Sequence, residues 1–299
     1  MAMSGRGTLR RRWRRFSLGV QTLLGRPQGF FSPYRHAKSV VAPEGYPALA
    51  PIFEAAFAAE ETGGLAVPGD VMAAILRHEA SLTAFEGPAP EPRWSQTWYP
   101  GLDGAAAYAI VRAARPSRIV EVGSGHSTRF LARAIRDEGL ETRLTCIDPE
   151  PRARLDGLPV DWQRRVLAPG DAPLYQALGP GDIAFFDSSH LLWPGSDVDF
   201  ILNGILPALR PGVLVHIHDV FLPDPYPAAW GWRGYTEQLG LGGWLVGGGA
   251  RLLWSSHYMR KVNGLTAHPL LADTLAPPKG ALESALWLIR APSPTVTMI

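Results

Sequence analysis

Residues 118–148 read RIVEVGSGHSTRFLARAIRDEGLETRLTCID, and this stretch decides the fold. A β-branched run ends in three small or polar residues, and apolar residues at helical spacing follow, among them Phe130, Leu131 and Ile135. A second short apolar run then closes on Asp148. This order predicts a strand, a glycine loop, a helix and a second strand. In such a unit the loop lies at the carboxyl edge of the sheet, where open α/β folds bind ligands, and the helix N-terminus directs free N–H groups at an anionic group.

The glycine loop suits two kinds of cofactor. A dinucleotide site requires G-x-G-x-x-G/A, because the third small residue lets the helix pack closely on the strand. Gly123 and Gly125 satisfy this pattern, but Thr128 stands at the third place. S-adenosylmethionine has no pyrophosphate, and its ribose and amino-acid end suit a tight glycine turn followed by a carboxylate on the next strand. A tight turn that binds no cofactor is the third interpretation.

The same stretch resembles motifs I and II of the class I S-adenosylmethionine-dependent methyltransferases, with Glu121 in the acidic place before the loop. The resemblance implies S-adenosylmethionine as cofactor. Asp148 is placed to accept hydrogen bonds from the ribose, Gly123 to leave room for the cofactor, and Asp171 to reach the adenine. We therefore predict cofactor contacts at Glu121, Gly123, Ser124, Gly125, Ser127, Asp148 and Asp171.

The composition is that of a folded protein with an ample apolar core. The chain has 299 residues, of which 46% are hydrophobic, and its net charge of +2 gives no global indication of a nucleic-acid partner. The one cysteine, Cys146, lies inside the second predicted strand and builds no disulfide framework, which favours a reducing compartment. No apolar run approaches the length of a transmembrane helix. We expect a cytoplasmic protein that acts on a small molecule.

Residues 1–25, MAMSGRGTLRRRWRRFSLGVQTLLG, put a cluster of arginines before a brief apolar patch. The patch is short and lacks a small-residue cleavage site, so the pattern does not predict a signal peptide. With Trp13, Phe16, Leu18 and Leu23 the segment could lie on an anionic membrane surface, which would make the protein peripheral at the membrane. The alternative interpretation is a mobile basic tail.

The rest of the chain alternates strands with helices. We predict a third strand near residues 165–168, a fourth at 182–187 and a fifth that ends at Asp219, and two more near 251–255 and 284–290. A helix over about residues 196–210, ending before Pro211 and Gly212, is predicted between the fourth and fifth strands. Strands alternating with helices predict an α/β fold, here a doubly wound, mostly parallel Rossmann-like sheet with an N-terminal helical extension.

Proline and glycine breaks, together with two helical patterns before residue 92, set the predicted domain boundaries. We divide the chain into a basic tail (1–29), an N-terminal helical extension (30–95) and a Rossmann-like domain (96–299).

Two polar motifs follow the fourth and fifth predicted strands: DSSH at residues 187–190 and HIHD at residues 216–219. In a doubly wound sheet the fourth strand lies beside the first and the fifth beside the fourth, so both motifs reach the carboxyl edge next to the glycine loop. His216 lies inside its strand and is interpreted as a hydrogen-bonded core residue. Buried carboxylates are costly unless they are paired or bound to a metal. The candidate reactive residues are Asp187, His190, His218 and Asp219.

The D-x-S-H motif, with the acidic residue after the fifth strand, extends the resemblance. Over residues 96–220 the chain resembles the metal-dependent sugar O-methyltransferases of macrolide biosynthesis and the wider group that includes the cephalosporin hydroxylase-like proteins. This resemblance implies that Asp187 and Asp219 are metal ligands and that His190 is the general base. His218 stands where the sugar enzymes have an acidic residue. We include it as a ligand, and because imidazole replaces a carboxylate, manganese, iron and zinc join magnesium as candidate metals.

The resulting hypothesis is metal-assisted methyl transfer from S-adenosylmethionine to a hydroxyl of a sugar or another small molecule. A hydroxyl is a poor nucleophile near neutral pH, and a divalent cation lowers its pKa while a histidine removes the proton. The second hypothesis is a non-haem iron oxygenase, with Asp187, His190 and His218 as a two-His-one-carboxylate site. The third is a non-catalytic Rossmann-like binding module. The sequence does not predict the oligomeric state.

Overall fold

The strand-loop-helix-strand unit predicted for residues 118–148 is present in the computed structural model of the protein. It consists of β1 (Arg118–Val122), a loop, the helix His126–Asp137 and β2 (Arg143–Ile147). The structure describes residues 5–24, 26, 35–262 and 268–292. These fall into two units, residues 1–43 and 44–299. The predicted boundary at residue 96 stays a prediction.

Seven strands form one sheet in the order β3-β2-β1-β4-β5-β7-β6. The strands β1 to β5 pair in parallel, whereas β7 is antiparallel to both β5 and β6. The predicted doubly wound, mostly parallel sheet is therefore confirmed. The remaining strands are β3 (Asp161–Gln163), β4 (Ile183–Phe186), β5 (Leu214–Ile217), β6 (Ala250–Ser255) and β7 (Leu286–Arg290).

Helices precede the sheet and cover both of its faces. In the first unit the helix is α1 (Gly5–Leu23). The helices of the second unit are α2 (Ala50–Ala58), α3 (Pro68–Arg77), α4 (Glu79–Thr83), α5 (Gly101–Ala114), α6 (His126–Asp137), α7 (Ala172–Gln176), α8 (Asp197–Phe200), α9 (Leu206–Ala208), α10 (Glu237–Val246) and α11 (Ser256–Val262). None of the helices in the described part of the chain is long and apolar enough to cross a membrane.

Alternation along the strands divides the core into two layers. Ile119 of β1 joins a cluster with α5 and α6, whereas its neighbour Val120 joins the cluster on the opposite face. Helices α5 and α6 approach closely because Gly104 has no side chain, and a Cβ there would lie 2.7 Å from the ring of Phe130. The two apolar layers hold β1, β4 and β5 side by side, so their carboxyl ends meet at one edge.

Two predicted elements differ from the structure. The third strand is Asp161–Gln163 and not residues 165–168, because the Arg165 guanidinium binds the Asp171 carboxylate and this segment turns into the short 3-10 helix Pro169–Asp171. The helix predicted over residues 196–210 is interrupted, since a π-helical turn at Ile201–Ile205 separates α8 from α9.

Candidate active site at the carboxyl edge of the sheet

Gly123 occupies the tightest point of the loop after β1. Its φ of +77° lies in the region that favours glycine, and a Cβ would overlap the backbone carbonyl of Asp187. The Asp187 N–H donates to the Val122 carbonyl at 2.8 Å, so the ends of β1 and β4 are joined at this point. From the sequence we expected Gly123 to leave room for a cofactor. In the structure, a side chain at this position would first meet the backbone at the end of β4.

Glu121 and Ser127 fix the shape of the loop from inside. Ser127 Oγ and Thr128 Oγ1 each donate to the Glu121 carboxylate at 2.7 Å, and the Cys146 thiol lies 3.3 Å from it. The Gly125 N–H donates to Thr128 Oγ1 at 2.9 Å, which gives a role to the threonine at the third place of the pattern. Burial raises the pKa of Glu121 to about 7, against the opposing effect of these hydroxyl donors. Glu121 and Ser127 thus contact each other in the interior.

A cavity of about 270 Å³ opens beside this loop. Gly123, Ser124, Asp148 and Asp187 line it, with Asp197 at its side. The hydroxyl of Ser124 is buried and has no hydrogen-bond partner among the described residues. An unpaired buried hydroxyl is costly, and a polar group of a bound ligand would satisfy it.

Asp148 follows β2 and is held in a fixed orientation. One carboxylate oxygen accepts from the Ser124 N–H and the other from the Glu150 N–H, both at 2.6 Å. The carboxylate still lines the cavity, and its two oxygens have lone pairs left for further donors. Its position is therefore that of an acceptor for the hydroxyls of a ligand.

Asp171 lies away from the cavity lining. Its carboxylate accepts two hydrogen bonds from Arg165, at 2.5 and 2.6 Å, and a third from the Ala168 N–H at 2.9 Å. Burial alone would raise the pKa of Asp171, but these donors hold it below its ordinary value. The predicted adenine contact of Asp171 stays a prediction.

His190 links the ends of β4 and β5. Its Nδ1 lies 2.8 Å from Glu237 Oε2, and its Nε2 lies 3.1 Å from Asp187 Oδ1 and 3.5 Å from Asp219 Oδ2. The ring packs against Tyr235, with 4.5 Å between centroids. A buried carboxylate on one ring nitrogen orients the imidazole, so the other nitrogen faces the two aspartates.

His218 is arranged in the same way from the other side. Its Nε2 lies 3.4 Å from Asp103 Oδ2, and its Nδ1 lies 3.6 Å from Asp187 Oδ1 and 3.7 Å from Asp219 Oδ1. The Ser284 hydroxyl donates to Asp219 Oδ1 at 3.1 Å. The structure therefore brings Asp187, His190, His218 and Asp219 together, as the two motifs predicted.

The charges in this cluster stabilise one another. Burial lowers the pKa of both histidines, but their neighbouring carboxylates outweigh it, and each pKa lies well above its ordinary value. Burial alone would raise the pKa of Asp187, but the hydrogen bonds from His190 and His218 outweigh burial and hold this pKa below the usual range. By contrast, burial holds the pKa of His216 well below its ordinary value, and its Nε2 pairs with the Tyr99 hydroxyl at 3.1 Å. His216 is thus the core residue that the sequence predicted.

Two residues of the cluster adopt a backbone conformation that is uncommon outside glycine. The φ angles are +60° at His190 and +55° at Asp219. Residues in the left-handed region are enriched at functional sites, where the surrounding structure maintains them. Each follows its strand within a few residues, so the turn of the backbone directs both side chains into the same space.

Sequence reasoning missed the two outer carboxylates, Glu237 and Asp103. Both are fully buried and lie in the first turn of a helix, α10 and α5 respectively. An acidic residue at a helix N-terminus is ordinarily explained by the helix dipole, so the sequence carries no signal for a second role. Asp103 also accepts from the N–H groups of Ser284 and Ala285, which attaches α5 to β7.

The donor types of this cluster suit a divalent cation. In proteins, an imidazole that binds a metal commonly donates its other N–H to a carboxylate, as Glu237 and Asp103 accept here. Within residues 5–24, 26, 35–262 and 268–292, however, no group of three or more His, Cys, Asp or Glu side chains is arranged as a metal-binding set. The chemistry of the donors fits a metal, whereas their described positions do not form a complete ligand shell.

A second cavity, of about 190 Å³, reaches the cluster at Asp219. Asp219 lines it together with Trp98, Trp230 and Arg233. The Arg233 guanidinium lies 4.0 Å from the centroid of the Trp230 ring and 3.5 Å from Asp219 Oδ2. Its buried Nε has no hydrogen-bond partner among the described residues. This cavity thus combines an aromatic wall with charged groups.

Residues 120–220, about a third of the chain, match the family model described as a methyltransferase domain. The match contains the end of β1, the glycine loop, both polar motifs and the residues that line the first cavity. Over these residues the chain is similar to a methyltransferase domain. No curated protein is significantly similar to the chain.

The solved structures to which the chain is similar are distant in sequence. Cofactor-bound Rv0187 from MTB is 16% identical, covers 84% of this chain and 100% of its own, and has a TM-score of 0.42. SAH-bound PaMTH1 from Podospora anserina is 16% identical over 88% and 99% of the two chains, with a TM-score of 0.39. A structure of cmcI with Mg and SAM is 12% identical over 88% and 98%, with a TM-score of 0.35. At these sequence identities and TM-scores, the similarity does not indicate a shared activity.

Proposed function

We propose that the methyltransferase domain transfers the methyl group of S-adenosylmethionine to a hydroxyl oxygen of a small molecule. The observation that supports the proposal is that the imidazole cluster contributes one aspartate to the lining of each cavity. Asp187 lines the first cavity, Asp219 lines the second, and His190 Nε2 lies within 3.5 Å of a carboxylate oxygen of each. A donor molecule and an acceptor placed in these cavities would meet at the cluster.

The first cavity is the proposed cofactor site. Asp148 would accept hydrogen bonds from the ribose, and the Ser124 hydroxyl would bond to a polar group of the cofactor. The bound cofactor supplies a methyl group already activated by its sulfonium. The chain's own contribution is then to position the two reactants in line and to remove the hydroxyl proton.

His190 is the proposed base. Glu237 holds its Nδ1, so Nε2 is the atom that would take the proton, 3.5 Å from the Asp219 carboxylate that lines the second cavity. A cation bound to Asp187 and Asp219 would neutralise the carboxylates that keep a proton on Nε2, and this nitrogen would then be free to act as base. Asp187, His218 and Asp219 are the residues that would hold a divalent cation, magnesium or alternatively manganese or iron. Such a cation lowers the pKa of a bound hydroxyl. The proposal rests on the outer carboxylates, which leave one nitrogen of each imidazole facing Asp187.

The second cavity is the proposed acceptor site. Aromatic faces such as those of Trp98 and Trp230 suit the apolar face of a sugar ring, and the unpaired Nε of Arg233 would donate to an acceptor oxygen. We therefore propose a sugar or a similar polyhydroxy compound. Cytoplasmic location and the lack of a nucleic-acid partner stay predictions from the sequence.

We expect Trp230→Ala to raise the KM for the acceptor about tenfold while the affinity for S-adenosylmethionine is unchanged. Losing a stacked aromatic face removes on the order of 1–1.5 kcal/mol of binding free energy, and 1.4 kcal/mol corresponds to tenfold. The measurement is transfer of a labelled methyl group to a panel of sugars, polyols and phenols, with release of the demethylated cofactor. Trp232→Ala is the matched control, because Trp232 is an exposed neighbour outside the cavity lining.

An unchanged acceptor KM in Trp230→Ala would place the acceptor elsewhere. Cofactor binding without transfer to any acceptor in the panel would favour the non-catalytic interpretation. Iron-dependent oxygen uptake without methyl transfer would favour the oxygenase.

A further inference from the structure

Helix α1 (Gly5–Leu23) has an apolar face whose side chains are exposed. At 100° per residue, six apolar side chains recur at short intervals and lie within an arc of about 100°, whereas Leu18 lies on the opposite side. All six are exposed, and Trp13 and Phe16 retain 65% of their accessible surface. These residues, here called the apolar face of α1, are Leu9, Trp13, Phe16, Val20, Leu23 and, directly after the helix, Leu24.

The remaining surface of α1 is basic. Arg10, Arg14 and Arg15 are exposed on the sides away from the apolar face, and Arg12 lies at its edge. Residues 1–43 contain nine arginines and lysines and no acidic residue, so all 27 Asp and Glu of the chain follow residue 43. The first unit is therefore strongly positive, although the net charge of the whole chain is only +2.

We infer that α1 binds the surface of an anionic lipid bilayer, lying in the plane of the interface. The apolar face would enter the boundary between headgroups and acyl chains, and the arginines would remain among the anionic headgroups. Arginine stems reach along apolar surface while the guanidinium stays in the polar layer, so Arg12 at the edge is compatible with this orientation. The helix lies on the membrane and does not cross it, which agrees with its polar composition.

Other occupants of the face fit these observations less well. A second copy of α1 paired along the apolar face would bring two sets of arginines together, and like charges disfavour that arrangement. A nucleic acid would use the arginines, but its phosphates do not require six exposed apolar residues. A bilayer with anionic headgroups satisfies both surfaces of the helix.

The test uses the full chain and sedimentation with large vesicles. Vesicles that contain phosphatidylglycerol are expected to bind the protein, whereas vesicles of phosphatidylcholine alone are not. The double substitution Trp13→Ser with Phe16→Ser keeps the charge and should weaken binding at least tenfold. Leu18→Ser is the matched control, because Leu18 belongs to the same helix but lies about 180° from the apolar face. It should retain the affinity of the wild type.

Replacing Arg14 and Arg15 by glutamine should weaken binding about fivefold per arginine, and added salt should reduce wild-type binding further. Equal binding of the wild type and the Trp13→Ser, Phe16→Ser variant would overturn the proposal, since charge alone would then explain it. Absence of binding to anionic vesicles would also overturn it. If the protein does not bind anionic vesicles, a change of oligomeric state in the Trp13→Ser, Phe16→Ser variant would identify a second copy of the chain as the occupant of the apolar face. Tight binding of DNA by the wild type would instead identify a nucleic acid as the partner.

Discussion

Replacing His190 by alanine should lower the methyl-transfer rate by about 10²–10⁴-fold, the usual contribution of a general base, while S-adenosylmethionine and the metal bind as in the wild type. The reason is geometric. Glu237 fixes one ring nitrogen at 2.8 Å, and the other lies 3.1 Å from Asp187 and 3.5 Å from Asp219, which line the two cavities. Removing the imidazole removes the proton acceptor and leaves the cofactor cavity intact. The measurement is release of the demethylated cofactor, with calorimetric titration of each ligand.

His218→Ala is the matched control for His190→Ala. The two imidazoles have equivalent surroundings, with one nitrogen held by a buried carboxylate and the other directed at Asp187. The proposed roles differ, so His218→Ala should lose metal affinity and His190→Ala should not. Because alanine leaves the buried Glu237 without its partner, His190→Gln serves as a second variant that can still donate to Glu237. If His190→Ala releases the metal, His190 is a ligand, and the iron oxygenase becomes the better account.

Replacing Asp187 by alanine should abolish metal binding and turnover together. Asp187 Oδ1 is the atom that faces both imidazoles, at 3.1 Å from His190 Nε2 and 3.6 Å from His218 Nδ1. Even outer-shell partners of metal ligands contribute about 10–100-fold to affinity or activity, so loss of a direct ligand should cost about a hundredfold or more. The measurement is metal content of the purified variant, with turnover after each divalent cation is added back.

Asp197→Asn is the control for Asp187→Ala, because Asp197 lines the same cavity but binds the Ser189 backbone and not the imidazoles. It should keep the metal affinity of the wild type. Full wild-type activity in a chelator, with no metal in the purified protein, would contradict the metal assignment. The aspartates would then only position the acceptor.

The central unit of the fold could be predicted because its sequence signals are local and agree with one another. The β-branched run of β1, the glycine turn and the helical spacing of Phe130 and Ile135 all indicate one unit, and β1, α6 and β2 follow them. The third strand could not be placed, because residues 165–168 have strand-like composition but the pairing of Arg165 with Asp171 turns the chain. A contact between two side chains on one segment is not visible in a pattern of hydrophobicity.

The site could be predicted in part for the same reason. The rule that parallel strands end at one edge brought the two polar motifs together, and His190, His218, Asp187 and Asp219 do meet. Glu237 follows His190 by 47 residues, and its contact depends on how α10 packs. Asp103 precedes His218 by 115 residues and reaches it from α5. Such long-range contacts arise from tertiary packing, which local sequence patterns do not encode.

The residues around the glycine loop also show what the sequence could not predict, namely which side chains face the cavity. The sequence motif groups Glu121 and Ser127 with Ser124 and Asp148, since all belong to the same stretch. The structure separates them: Glu121 and Ser127 bind each other in the interior, whereas Ser124 and Asp148 line the cavity. Spacing along the chain predicts which residues surround the loop, but only the packed structure shows which of them face a ligand.

Calorimetric titration of S-adenosylmethionine into the wild type and Asp148→Ala tests the central claim most directly. Asp171→Ala enters the same titration: weaker binding would support the predicted adenine contact, whereas wild-type affinity would leave Asp171 only as the partner of Arg165. The wild type should bind one molecule per chain. Asp148→Ala should bind about tenfold to a hundredfold more weakly, the effect of losing about 1.5–3 kcal/mol from a charged acceptor, with its unfolding temperature showing that it remains folded. No binding to the wild type, or equal affinity in a folded Asp148→Ala, would contradict the assignment of the cavity to the cofactor.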